Sequence, residues 1–387
     1  MALGPRDEIF LLDNIERNCT GPGPCDQTGE LRVARYRSDG QLDPGFSPGV
    51  AVVARSADIS VDRKGRVVVA AAVNDGKVKV FRFSPGGTLD PAFGTDGEVS
   101  LAGTGELSLS DLVIGPRDEI ILSTGMRSSF SWPSDLEAVV FRLTSSGAPD
   151  PGFGGFPGVS AFDSPEADVA GTLAVVRKEI VTAVTTDVPC CGLPKRRLVR
   201  FAWNGRVVGP VEVPGVEDGY TSLGPVLPRA RGGAWAFSSA RTNATITAYG
   251  RKWHRDLRVG RRGSVHIRNF SLRFSATAAT ERSGRVVVAG ISKHRLPEGY
   301  DVFRVAVLRL LPSGRIDRSF AGGSRRVLLR LPDEETKQAR NVALGIQSDG
   351  GIVVLASSYY PCVRSCTGHP SYFLLRLRGG SAHSKRQ

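Results

Sequence analysis

The six residues GPRDEI stand at positions 4–9 and return at 115–120. A hexapeptide written twice in one chain points to an internal repeat, and a repeat constrains the fold more than any local feature does. Apolar segments of one kind recur in seven places. In order they are DEIFLL (7–12), GRVVVA (65–70), DEIILS (118–123), KEIVTA (178–183), GGAWAF (232–237), GRVVVA (284–289) and GGIVVL (350–355). Their starts lie 58, 53, 60, 54, 52 and 66 residues apart, a period near 57. The two GPRDEI copies are two periods apart.

A second pattern follows these segments: Arg, then Gly five residues on, Asp eight on and Phe eleven on. Four copies fit at every anchor: Arg35-Gly40-Asp43-Phe46, Arg82-Gly87-Asp90-Phe93, Arg142-Gly147-Asp150-Phe153 and Arg309-Gly314-Asp317-Phe320. The fourth repeat keeps Arg200 and Gly205 but has Val208 in place of Asp. The fifth, around TITAYGRKW, reads as having lost both partners, and the seventh keeps Arg376. A ligand does not need four equivalent sites at one period, whereas a fold does need one turn four times. The Arg and Asp therefore read as a structural pair, with Asp organising the turn before Pro.

Each repeat reads as four short strands. GRVVVA is continuously apolar, as a strand buried on both faces should be. DRKG, ERSG and QSDG before it are hairpin turns. ADISV (57–61), DLVIG (111–115) and NVALG (341–345) supply the preceding strand, LRVARY, VKVFRF, AVVFRL and VAVLRL the following one, and a GxLDPxF turn leads to the outer strand. Seven such repeats predict an all-β, single-domain, seven-bladed β-propeller. Radial repetition also solves a size problem, since 387 residues exceed one ordinary core. The expected blades are 1–50, 51–99, 100–159, 160–215, 216–265, 266–327 and 328–380, with 381–387 a basic disordered tail. The best helical pattern, PDEETKQARNVAL (332–344), predicts a turn or two of helix in a connection.

FSPGGTLDPAFGTDGEV (83–99) and DRKGRVVVAAAV (62–73) resemble the bacterial delta-sixty repeat, an uncharacterised β-propeller repeat. The resemblance extends over nearly the whole chain, with repeats four and five degenerate. It implies a propeller of the kind found in large secreted or surface-associated bacterial proteins, and it implies no activity.

The formal net charge is +13, mostly from arginine, and it reads as spread along the chain. Such a balance reads first as arginine in place of lysine through a codon preference of the source genome, and alternatively as suiting a polyanionic partner. No nucleic-acid-binding motif accompanies it, so nucleic acid is not the expected partner. No apolar run approaches the roughly 18 residues of a membrane span, and MALGPRDEIFLLD is not a secretory signal. The first repeat opens within its first strand and the last ends after its third, YFLLRLRGG. The expectation is that the native chain starts upstream, where a closing strand and a signal would lie.

The six cysteines, Cys19, Cys25, Cys190, Cys191, Cys362 and Cys366, all fall between the second and third strands of their repeats. That placement predicts short disulfide staples in exposed loops, hence an oxidising compartment and an exported protein. Cross-links between the first and last repeats and a four-thiolate zinc set are the alternatives. The five- and three-residue spacings lack the tight knuckles of common zinc sites, so no metal and no cofactor is expected.

No GxSxG, HExxH, phosphate loop or EF-hand loop occurs, and the five histidines show no ligand spacing. The loops between second and third strands mix aromatic and basic residues: Arg127, Phe130 and Trp132 in repeat three, Lys195 and Arg196 in four, His294 and Arg295 in six, Tyr360 and Arg364 in seven. Aromatics beside cations stack on sugar rings and pair with anions. The sequence thus predicts a monomeric, non-catalytic binding or scaffold propeller whose partner is an anionic envelope polysaccharide or a surface protein. The alternatives are a propeller lyase or hydrolase, which needs carboxylates converging near the channel, and a purely structural spacer.

Overall fold

A computed structural model of the chain describes residues 1–17, 28–103, 105–127, 136–162, 164, 167–187, 195–214, 222–230, 232–239, 243–270, 277–295, 299, 301–330, 338–359 and 371–377. The fold is a seven-bladed β-propeller, all β apart from a single 3-10 turn at Phe320–Gly323 among the described residues. Six blades have four strands. The seventh has three among the described residues: Gln338–Ile346, Ile352–Tyr359 and Ser371–Leu377. Every blade is an antiparallel meander with its strands paired in chain order. In blade two they are Ala54–Val61, Val67–Val73, Val78–Phe83 and Glu98–Leu101. The chain divides into two compact units, Met1–Pro210 and Val211–Gln387.

The apolar second strands follow from how blades stack. All of Val67–Val73 is buried. Its side chains alternate between faces. Val68, Ala70 and Ala72 pack with Leu107, Leu112 and Leu122 of blade three. Val67, Val69 and Ala71 pack with Phe10, Leu31 and Val33 of blade one. Each core is therefore shared by two consecutive blades, and a central strand must be apolar on both faces.

GPRDEI is the hairpin turn that joins first and second strands. Gly4 N donates to the Glu8 carbonyl at 2.8 Å, and Gly115 N to the Glu119 carbonyl at 2.7 Å. Asp7 and Asp118 take the left-handed conformation, at φ 65° and 62°, where DRKG places Gly65 at 77°. The glutamate folds back over the turn: Arg6 Nε donates to Glu8 Oε1 and Arg117 Nε to Glu119 Oε1, both at 3.0 Å. A Cβ on Gly4 would lie 2.6 Å from Glu8 Oε2, and one on Gly115 2.7 Å from Glu119 Oε2. A side chain at either glycine would displace the returning carboxylate from its place over the turn.

One expectation is corrected. Gln338–Ile346 is the first strand of blade seven; it includes the expected strand NVALG (341–345) and replaces the helix expected over 332–344, of which residues 332–337 lie outside the described set. Val342 is buried in the core shared with blade six, and Leu344 packs against it. Pairing with Ile352–Tyr359 overrides the local helical preference.

Gly147 tests the blade joint directly. Its φ is +90°, and an added Cβ would lie 2.7 Å from Phe93 Cε2 of the preceding blade. Gly40 has the same φ, +91°, with nothing within 4 Å of an added Cβ. Gly40→Ala should cost about 1 kcal/mol of backbone strain, and Gly147→Ala roughly 1–3 kcal/mol more from overpacking. Denaturant midpoints measure both, and equal losses would mean that the joint is not tightly packed there.

Candidate functional site

The repeated Arg and Asp form a joint between blades. Asp43, Asp90, Asp150 and Asp317 each use Oδ1 to accept the backbone N–H two residues on, at 2.8–3.1 Å. Each uses Oδ2 to accept from the Nε of the arginine eight residues earlier, at 2.9–3.0 Å. The guanidinium lies 4.4–4.9 Å from the centroid of Phe46, Phe93, Phe153 or Phe320 in the same motif, a cation–π contact. In three blades its Nη1 crosses to the next blade's turn. Arg35 donates to the Pro85 carbonyl at 2.8 Å, Arg82 to that of Ser145 and Arg142 to that of Trp203. The phenylalanine crosses too, seated against the next motif's glycine: Phe46 on Gly87, Phe93 on Gly147, Phe153 on Gly205.

The degenerate repeats rebuild this joint from other positions. The fifth repeat keeps an aspartate where the sequence reading found none. Asp256 N donates to the Ala248 carbonyl at 2.8 Å, as Asp90 N does to that of Arg82 at 2.9 Å. Ala248 thus stands at the arginine position, Asp256 at the aspartate and Val259 at the phenylalanine. The cation comes instead from Arg229, whose Nη1 and Nη2 both reach Asp256 Oδ2 at 3.2 Å. Arg258 and Arg229 hold the Asp256 carboxyl down at about 2 against the opposing effect of desolvation, the Arg258 hydrogen bond being the larger cause. In blade four Arg200 pairs with Glu179 at 3.5 Å. In blade seven Arg376 Nε donates to Gln347 Oε1 at 2.6 Å, and the same guanidinium pairs with Asp349.

Of the residues predicted to bind a ligand, Phe130, Trp132, Tyr360 and Arg364 lie outside the described residues, as do all six cysteines. Arg127 ends the strand Ile120–Arg127, Lys195 is exposed at the start of Lys195–Ala202, and Arg196 beside it is buried. His294 is half-buried, and Arg295 is 3.4 Å from Asp301, which also takes Lys293 at 2.7 Å. The strand order puts these positions at one end of the sheets, with the third-to-fourth connections at the other.

A carboxyl pair joins the first strands of blades two and three, Ala54–Val61 and Glu106–Ile114. Leu112 N donates to Asp58 Oδ2 at 3.0 Å and to Asp111 Oδ1 at 2.9 Å, and the two carboxyls hydrogen-bond each other. Asp111 Oδ2 accepts from Leu173 N of blade four at 2.6 Å. Asp111 keeps some accessible surface but is walled in by protein. Desolvation, and then the Asp58 charge, push its carboxyl well above the ordinary range. The Met1 amino group, pulled down by burial, is attracted to Asp58.

The connection after the third strand carries a feature the sequence reading missed, having taken the charge as evenly spread. In blades two and three, residues 83–97 and 143–158 contain no Lys or Arg. In blade five, residues 249–263 contain six: Arg251, Lys252, Arg255, Arg258, Arg261 and Arg262, all exposed. In blade six, residues 310–326 contain Arg315, Arg318, Arg325 and Arg326. An open concavity of about 410 Å³ lies along Gly250–Arg258, with Leu257 66% exposed at its edge. Aligning the turns by their repeat positions would have revealed this clustering, which a running charge count hides.

Over residues 25–46 the chain matches the model of a family described as a domain of unknown function (DUF5122), beta-propeller. No curated protein matches. Among solved structures the chain is similar to a variant of the Synechocystis apocarotenoid oxygenase, with TM-score 0.51 and 11% identity over 98% of this chain and 91% of that one. It is also similar to a Penicillium chrysogenum alpha-L-arabinanase (TM-score 0.46, 10% identity, 83% and 92% covered). A Bacteroides caccae protein of unknown function gives TM-score 0.43 and 9% identity, with 78% and 95% covered. At these identities the likeness bears on the fold alone.

Two outcomes follow from the buried charges. Arg82 and Asp90 are 3% and 15% exposed, and burial and Arg66 pull the Arg82 guanidinium down while Asp90 holds it up. Arg82→Met should cost roughly 3 kcal/mol because it strands a carboxylate, and adding Asp90→Asn should recover part of that loss. Additive losses in a denaturation cycle would refute the pairing. Asp111 has the opposite sign from Asp256. Its raised folded value gives a contribution fully present below about pH 3.9, the ordinary Asp range, and lost as pH rises through the folded value. Asp111→Asn should therefore be more stable relative to wild type at pH 7 than at pH 4. A difference that does not change with pH would mean that Asp111 does not titrate above the ordinary range.

Proposed function

We propose that the chain is a non-catalytic, exported binding propeller whose ligand is an anionic polymer of the cell envelope. The observation that supports this is the separation of two arginine populations. Arg35, Arg82, Arg142, Arg229 and Arg309 serve the blade joints and are bound to carboxylates. On the turns of blades five and six, Arg251, Lys252, Arg255, Arg261, Arg262, Arg315, Arg318 and Arg325 are exposed and are bound to no joint carboxylate among the described residues. Export rests on the loop placement of the six cysteines.

One observation bears on the alternative of a lyase or hydrolase: carboxylates do converge on the first strands, at Asp58 and Asp111. Glycoside-cleaving pairs stand about 5–10 Å apart with the substrate between them. Asp58 and Asp111 touch each other and accept backbone N–H groups from Leu112 of blade three and Leu173 of blade four. That arrangement favours a joint over an acid–base pair.

The test is retention of the full chain on immobilised envelope polymers at low salt. Anionic polymers should retain it and neutral glucan should not. Equal passage through both columns would leave the spacer reading. Alkylation without reduction, followed by intact-mass measurement of protein from its native host, should add no label. Labelling at all six cysteines would sink export.

A further inference from the structure

We propose that the third-to-fourth turns of blades five and six form one phosphate-binding track that takes an extended phosphodiester polymer. The inference deepens the binding reading above and rests on it.

The two turns are in contact. Gly260 N donates to the Ser313 carbonyl at 3.4 Å, and a Cβ on Gly314 would lie 2.5 Å from Val259 Cγ1. Arg258, Arg261 and Arg262 flank that contact from blade five, and Arg315 from blade six. The cations of the two turns therefore form one surface within one compact unit.

The fold does not require them. The same turn is built in blades two and three without any added cation, and its joint there is complete. Each cationic turn holds one acid. Asp256 is taken by Arg229 and Arg258, and Asp317 by Arg309. Arg326 is tied to the Asn269 carbonyl at 2.6 Å. Among the described residues no carboxylate pairs with Arg251, Lys252, Arg255, Arg261 or Arg262, nor with Arg315, Arg318 or Arg325. Like charges crowded in this way repel, and a polyanion relieves the repulsion by neutralising them.

The side chains and the shape narrow the ligand. Of the nine exposed cations, eight are arginine. Its planar fork matches phosphate oxygens in pairs, which a lysine ammonium does not do. The surface is an open concavity continued by a second turn rather than an enclosed pocket, so it suits a chain lying across it. The occupant that agrees with the binding reading is an envelope glycerol-phosphate chain; nucleic acid, which shares the phosphodiester chemistry, is an outcome of the test.

The full chain is titrated with a glycerol-phosphate polymer, a single-stranded thymidine oligomer and polygalacturonate, between 50 and 300 mM salt. One variant is Arg255→Glu/Arg261→Glu/Arg262→Glu. The control, Arg37→Glu/Lys178→Glu/Arg206→Glu, makes the same charge change at exposed positions in the other compact unit. Thermal melts check that both fold. The track variant should bind phosphodiester at least about tenfold more weakly, with the salt slope reduced by about 2. The control should change binding less than about threefold. Track-dependent binding of the glycerol-phosphate polymer supports the proposal, whereas track-dependent binding of the thymidine oligomer alone would overturn the envelope source and make the track a nucleic-acid surface. Equal weakening by both variants would overturn it. Binding of polygalacturonate alone would overturn the phosphate assignment and leave the binding reading standing, and binding of none of the three would remove both.

Discussion

The structure depends on one buried contact, the guanidinium that ties a carboxylate in its own blade to a carbonyl in the next. A propeller blade is a small sheet with apolar side chains on both faces, and it cannot be stable alone. Dispersion between faces holds blades together but does not fix their angle. The Arg82 fork does fix it. Nε is set by Asp90, Nη1 by the Ser145 carbonyl, and the guanidinium carbon lies over the Phe93 ring. The Asp90 carboxylate also shapes the turn that delivers Phe93 to the glycine of the following blade. One side-chain pair thus sets both turn and docking, which explains why it recurs at the period of the fold.

The degenerate blades show that the requirement is geometric rather than positional. In blade five the arginine has moved to Arg229, at the turn after the first strand, and still reaches the aspartate in its usual place. In blades four and seven the arginine stays and the acceptor moves, to Glu179 and to Gln347 with Asp349. All three solutions place a fork beside an acceptor at the same edge of the sheet. A second joint, of carboxyls rather than arginine, ties the first strands of blades two, three and four through Asp58 and Asp111. One arrangement tightens when its aspartate ionises and the other when its aspartate is protonated.

The fold was legible because its signal is periodic. Seven apolar segments, their turns and the motif spacing each mark strands whose partners are neighbours in sequence. What escaped was whatever depends on a partner brought from elsewhere. Asp256 was missed because its arginine lies 27 residues before it rather than eight. Gln338–Ile346 was misread because a short stretch with Glu, Gln, Lys and Ala looks helical until a neighbouring strand is there to pair with it. The Asp58–Asp111 contact crosses between two repeats, and nothing in either repeat announces it. The predicted ligand loops lie mostly outside the described residues, and the cationic turns of blades five and six lie at the opposite end of the sheets.

That surface also bears on how the arginine excess should be read. A source genome that favours arginine codons would raise arginine throughout, in equivalent turns alike. The turns of blades two, three and five share the same hydrogen bonds, as does the first half of the turn of blade six, and these turns differ from none to six in added cations. Repeats that share a backbone remove folding as the cause of such a difference, because what one blade does without, its neighbour does not need. Among the described residues that charge stands where the turns of blades five and six meet, and apart from Arg258, which Asp256 holds, its exposed guanidinium groups have no carboxylate partner.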